Sequence, residues 1–119
     1  MPVICVCEVG KTEYSVGDRT FTEAAPKIMS NKLFVPLKVI ANILGHEISY
    51  QDNTITVENK DNYIILEKGS TLANVNGQEV KIDIPPTIMN EGTYISALSL
   101  RSLFGMFIKW ETNKIHIIK

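Results

Sequence analysis

Leu33-Phe34-Val35-Pro36-Leu37-Lys38-Val39-Ile40-Ala41-Asn42-Ile43-Leu44-Gly45 is the stretch whose reading decides the fold, because residues 93–105 repeat its grammar. A short apolar segment, Leu33-Phe34-Val35, leads into Leu37, Ile40, Ala41 and Leu44 at i, i+3, i+4 and i+7, which is one helical face. Pro36 suits a first helical turn, where its missing N–H leaves no bond unmade. Thr93-Tyr94-Ile95 leads in the same way to Ala97, Leu100, Arg101 and Phe104. There Ser96, a residue type that caps helix starts, replaces the proline, and Arg101 is a charge at an apolar helix position. Gly45 and Gly105 stop both helices as left-handed residues. Helices are expected over 36–44 and 97–104.

Moving outward, each glycine is followed by two strand-like runs, Glu47–Gln51 with Thr54–Glu58 and Met106–Glu111 with Lys114–Ile118. Asp52-Asn53 and Thr112-Asn113 supply the turn chemistry between them. Ile48, Tyr50, Ile55 and Val57 alternate with polar neighbours, so one sheet face is buried and the other wet. Asn76-Gly77 joins two further runs as a hairpin turn, and Pro85-Pro86 ends the second, since proline cannot donate to a ladder.

Sliding the chain against itself by 60 residues aligns the halves without a gap, pairing Ile4/Ile64, Gly17/Gly77, Pro26/Pro86, Met29/Met89, Gly45/Gly105 and Asn53/Asn113 among others. Phe34/Tyr94, Leu44/Phe104, Tyr50/Trp110 and Val57/Ile117 match in character. The economical reading is two copies of one supersecondary unit, residues 1–60 and 61–119. No Pro/Gly/Ser-rich linker divides them, so one compact domain with a shared core is expected.

At 119 residues and 45% hydrophobic, the chain can bury a core without a metal or a disulfide. Twelve basic and thirteen acidic residues are spread evenly, so neither half carries the basic excess of a nucleic-acid-binding surface. No polybasic stretch favours an anionic membrane, and the opening apolar run is too short for a signal peptide or a membrane span. Cys5 and Cys7 share one strand face with α-carbons about 6.5–7 Å apart, at or past the limit for a bridge, and are expected as packed free thiols.

The run from Leu33 to Gly45 with Ile48-Ser49-Tyr50, the segment Ala73-Asn74-Val75-Asn76-Gly77 to Pro85-Pro86, and Gly105 to Trp110 together resemble the copper amine oxidase N-terminal-like, or stalk, domain. The resemblance covers nearly the whole chain as two repeats and implies an α+β fold, a helix packed on a meandering antiparallel sheet of about five strands, the helix preceding its strands. Carried over, helix 36–44 takes strands near 47–51, 54–58, 63–67, 71–75 and 78–83. Helix 97–104 has only two strands after it. Its other three would be Val3–Cys7, Thr12–Ser15 and Arg19–Thr22, supplied by closure within the chain or by exchange with a second molecule, giving a monomer or a domain-swapped homodimer. The family name misleads about chemistry, since copper and quinone belong to a separate, larger catalytic domain. Its Thr-x-x-Asn-Tyr-Asp/Glu motif is absent here, because Asn59 precedes Asn62-Tyr63 and Ile64 follows.

No nucleophile elbow, phosphate loop or dinucleotide fingerprint appears, and no catalytic residue, metal ligand or cofactor is expected. His46 and His116 read as exposed strand-end residues. Asp52 and Glu111, though a carboxylate pair could act on a sugar, read as turn caps. Tyr50 and Trp110 share parity with Ile48 and Ile108 and so are placed in the core. The rival reading stacks them on sugar rings at a sheet edge. Tyr50, Trp110 and Arg101 are therefore the candidate ligand or partner contacts. The resemblance implies a bacterial surface or wall-associated binding domain engaging polysaccharide or protein. The alternative is a small, phage-encoded intracellular protein that acts by binding another protein, in keeping with two free thiols and no leader.

Overall fold

The computed structural model describes residues 2–119. Among them lie fourteen strands and two helices. The N-terminal strands are β1 (Val3–Glu8), β2 (Glu13–Val16) and β3 (Arg19–Thr22), followed by β4 (Lys27–Met29) and β5 (Lys32–Pro36). Helix α1 (Leu37–Leu44) leads into β6 (Glu47–Gln51), β7 (Thr54–Glu58), β8 (Tyr63–Glu67), β9 (Leu72–Val75) and β10 (Gln78–Lys81). Then come β11 (Thr87–Met89), β12 (Gly92–Ser96), α2 (Ala97–Phe104), β13 (Phe107–Glu111) and β14 (Lys114–Ile118).

The helices start and stop where local chemistry puts them. Gly45 and Gly105 sit at φ +69° and +68°, a region open to glycine without a Cβ penalty, and their N–H groups turn back onto the last helical carbonyls. Ser96 caps α2 by accepting from the Ser99 N–H. Pro36 corrects one expectation: it is the extended residue just outside α1, at φ −60° and ψ 134°, so the helix begins at Leu37. A residue tied into a strand ladder cannot also open a helix, and Pro36 pairs with Tyr94.

All strand pairing is antiparallel. One sheet runs β10-β9-β8-β7-β6, a meander entirely downstream of α1. The other runs β13-β14-β1-β2-β3, so the N-terminal strands complete the second sheet within the chain. Cys5 and Cys7 of β1 face Ile117 and Ile115 of β14, with a bulge between Val3 and Cys5.

This pairing corrects the gapless 60-residue alignment. Ile64 and Leu66 face Val57 and Ile55 as Cys5 and Cys7 face Ile117 and Ile115. Val9 N–H donates to Asn113 O as Lys68 N–H donates to Asn53 O, both at 2.9 Å. The first three strands thus match β8–β10 at a spacing one residue shorter than β4–β7 match β11–β14. Ile4/Ile64 and Gly17/Gly77 are not equivalent positions. Instead Gly17-Asp18 occupies the place of Asn76-Gly77 between paired strands. The additional residue falls in Asp83–Pro86, where a loop absorbs it without disturbing a ladder.

A third sheet, β11-β12-β5-β4, was not expected. Its centre is the β5–β12 pair, with Val35 opposite Ile95, both fully buried. Both helices lie against this pair, and one cluster of buried side chains draws on all three sheets. Ile40, Leu37, Leu100, Ile55, Ile115, Ile117 and Leu66 are all inaccessible to solvent. Each such side chain stabilises the fold by about 1.5–3 kcal/mol.

Candidate functional site

A groove of about 370 Å³ opens beside α2. The helix and its cap supply Ser96, Ala97, Leu98 and Arg101. The strand side is Met106, Phe107, Ile108 and Trp110, brought alongside by the tight Gly105 turn. Asn31, Lys32 and Leu33, from the β4–β5 turn and β5, form the third wall with Asp83, the residue beside the loop insertion. Leu98 is 68% exposed and Trp110 40%, so these large apolar groups are not consumed by the core.

The polar groups in the groove are largely paired with one another. Lys32 Nζ meets the Asp83 carboxylate at 3.1 Å, and the Asp83 N–H donates to Ser99 Oγ. Ser96 Oγ and Ser99 Oγ share a 2.7 Å bond beneath the helix start. Trp110 Nε1 donates to Thr112 O at 2.7 Å, which turns the indole N–H edge toward its own hairpin while the residue lines the groove. Arg101 is the exception. Its guanidinium lies 5.0 Å from the centre of the Phe107 ring, with no carboxylate within ion-pair distance among the described residues.

Of the three candidate contacts, the structure brings Arg101 and Trp110 together and leaves Tyr50 out of the groove. The core placement of Tyr50 and Trp110 is overturned, since both are exposed. Parity fixed the sheet face correctly, but an eight-residue helix rises only about 12 Å and does not cover the strand ends at the hairpin turns. Tyr50 instead bonds Thr93 Oγ1 through its hydroxyl at 3.0 Å. Leu98, Met106 and Phe107 were missed. Their signal was available: sixty residues upstream stand Lys38, His46 and Glu47, polar in every case.

Elsewhere the titratable groups read as structure. The hydrogen bond with Cys5 and burial hold the Cys7 thiol well above its ordinary range, and both cysteines are free and buried. Burial raises the Tyr14 phenol, which is inaccessible and donates to Ala24 O at 2.5 Å. Neither histidine is an exposed strand end: His46 is half-buried with Nδ1 near Leu44 O, and His116 lies mid-strand in β14. Among the described residues no three His, Cys, Asp or Glu side chains gather where one metal ion could touch them. No helix among them is long and apolar enough to cross a membrane.

Residues 14–118 match the family model described as the copper amine oxidase N-terminal domain. The chain belongs to that family. Comparison with curated proteins and with solved structures gave no match. The copper amine oxidase N-terminal domain is the non-catalytic part of those enzymes, and here it spans the interval from β2 to the last residue of β14. Within this N-terminal domain the groove beside α2 brings exposed apolar side chains together with a cation that has no ion-pair partner among the described residues.

Proposed function

We propose that the chain is a non-enzymatic binding and scaffolding domain made of two copies of one unit, one of which has become the partner-binding corner. The duplication is supported by matched elements in chain order and by shared ladder registers and turn bonds. The observation that carries the binding role is the contrast within one fold. Leu98 and Phe107 are apolar where Lys38 and Glu47 stand in the first copy, and Leu98 is left in solvent. A helix face that the core does not need, yet holds a two-thirds-exposed leucine beside a tryptophan, fits a partner surface.

The family resemblance supports a bacterial surface or wall-associated setting, in which the domain acts as a monomeric spacer that engages wall polysaccharide or protein. Incubating the purified chain with peptidoglycan and with the wall protein fraction tests this. Co-sedimentation or capture that Leu98→Asp and Trp110→Ala abolish is the expected result. Binding that ignores both substitutions would remove the groove from the account. A second reading rests on Cys5 and Cys7: two free thiols are typical of a reducing compartment, and an intracellular partner would suit them. Fractionation of the native host decides between the two settings.

A further inference from the structure

The chemistry of this groove also specifies what kind of partner it takes, an inference that rests on the binding role just proposed. β13 is the end strand of its sheet. Its hairpin with β14 turns on Thr112-Asn113, flanked by the Glu111–Lys114 pair. In a two-residue hairpin the flanking pair exchanges both hydrogen bonds, and bonded and non-bonded pairs then alternate. Glu111, Lys109 and Phe107 therefore direct their N–H and C=O groups to β14. Those of Ile108 and Trp110 lie along the open edge, and the same two residues line the groove. An open strand edge beside an apolar trough is the geometry of β-strand addition.

A sugar-binding site couples its aromatic platform to free hydrogen-bonding groups placed for hydroxyls. Here those groups are committed elsewhere. The indole N–H goes to Thr112 O, the two serine hydroxyls bond each other, and Lys32 pairs with Asp83. Apart from Asn31, what stays uncommitted is apolar surface, a backbone edge and the Arg101 guanidinium. We infer that the groove takes an extended peptide segment of a partner protein as an added strand on β13. A large apolar side chain fills the trough against Leu98 and Trp110. An Asp or Glu two residues along, on the same face, pairs with Arg101.

A display library of random peptides about ten residues long, selected on the full chain, should enrich an apolar residue two positions from Asp or Glu. The selected peptide should move the amide resonances of Ile108 and Trp110 in isotope-labelled protein. N-methylation of alternate peptide bonds should abolish binding in one phase and spare it in the other, because every second N–H faces β13. Arg101→Gln should weaken the acidic peptide by about tenfold and leave its Gln analogue within about twofold. Tolerance of methylation in both phases would overturn strand addition, and enrichment without an acidic residue would overturn the Arg101 pairing. If wall glycan strands move the Ile108 and Trp110 resonances and no selected peptide does, the peptide proposal fails while the binding role stands. If neither probe moves them, both fail.

Discussion

The corner where α1 meets β6 and the corner where α2 meets β13 are built from the same order of elements and carry opposite surfaces. In the first, Ala41 is buried, Lys38 and Glu47 face water, and Tyr50 fastens its hydroxyl to Thr93 at 3.0 Å. In the second, Arg101 replaces the alanine and lies exposed, and Leu98 and Phe107 replace the charges. Leu33 stands where Thr93 stands and offers Trp110 no hydroxyl, so the indole bonds its own turn and the groove stays open. Beneath the rims the interior is matched: Ile40 with Leu100, Ile55 with Ile115, Val57 with Ile117, all inaccessible. Folding constrains the matched positions, because a cavity or a clash there costs several kcal/mol. It leaves the rim free, and the rim is where the corners diverge.

The largest test of that contrast is in the interior. Ile40→Ala and Leu100→Ala should each cost about 2–5 kcal/mol in urea unfolding, with similar losses. A loss under about 1 kcal/mol at either would mean that one helix is not held as the other is. Next comes Tyr14, whose equivalent in the other sheet is Ala73, both buried on the second strand after a glycine turn. Tyr14→Phe should cost about 1–2 kcal/mol by leaving Ala24 O without its donor. Burial raises the folded-state pKa of this phenol above the ordinary 10.0. The folded state therefore keeps a proton that the unfolded chain releases, and stability falls as pH rises past about 10. Tyr14→Phe should lessen that alkaline decline, leaving the shares of Cys7 and Tyr94, which are also held above their ordinary range.

At the hairpin turns, Asp52 and Thr112 hold the same φ of +55°. Aspartate tolerates that region, whereas a β-branched residue is strained there. Thr112→Asp should raise stability by about 1 kcal/mol, and Asp52→Thr should lower it by as much, both by thermal unfolding. Smallest of all is Leu98→Lys, which gives the second corner the first corner's residue. Its stability should change by less than about 0.5 kcal/mol while partner binding is lost, and a large destabilisation would return Leu98 to the core.

Much of the fold was legible because it is written in local rules. Helix periodicity located Leu37–Leu44 and Ala97–Phe104, and the two glycines ended them. Turn chemistry and the family resemblance gave the meander and the N-terminal strands that complete the second sheet. Three features escaped. The three-residue strands β4 and β11 and the non-alternating runs of β5 and β12 carry no period-two signal, so their sheet was read as lead-in segments. The one-residue offset was hidden because two halves of nearly equal length slide without a gap while a loop absorbs the difference. The exposure of Tyr50 and Trp110 escaped because alternation assigns a face, not a cover.

Sequence alone determined where helices end, which strands turn into hairpins, and which helix positions fill the interior, since neighbouring residues enforce each of these through sterics, capping and periodic burial. Tertiary structure alone decided that Val35 meets Ile95, that Tyr50 is tied to Thr93 while Trp110 has no such partner, and that Arg101 stands over Phe107 beside an open strand edge. Those outcomes depend on groups that are distant in the chain arriving side by side, and a local pattern carries no information about what will stand opposite it.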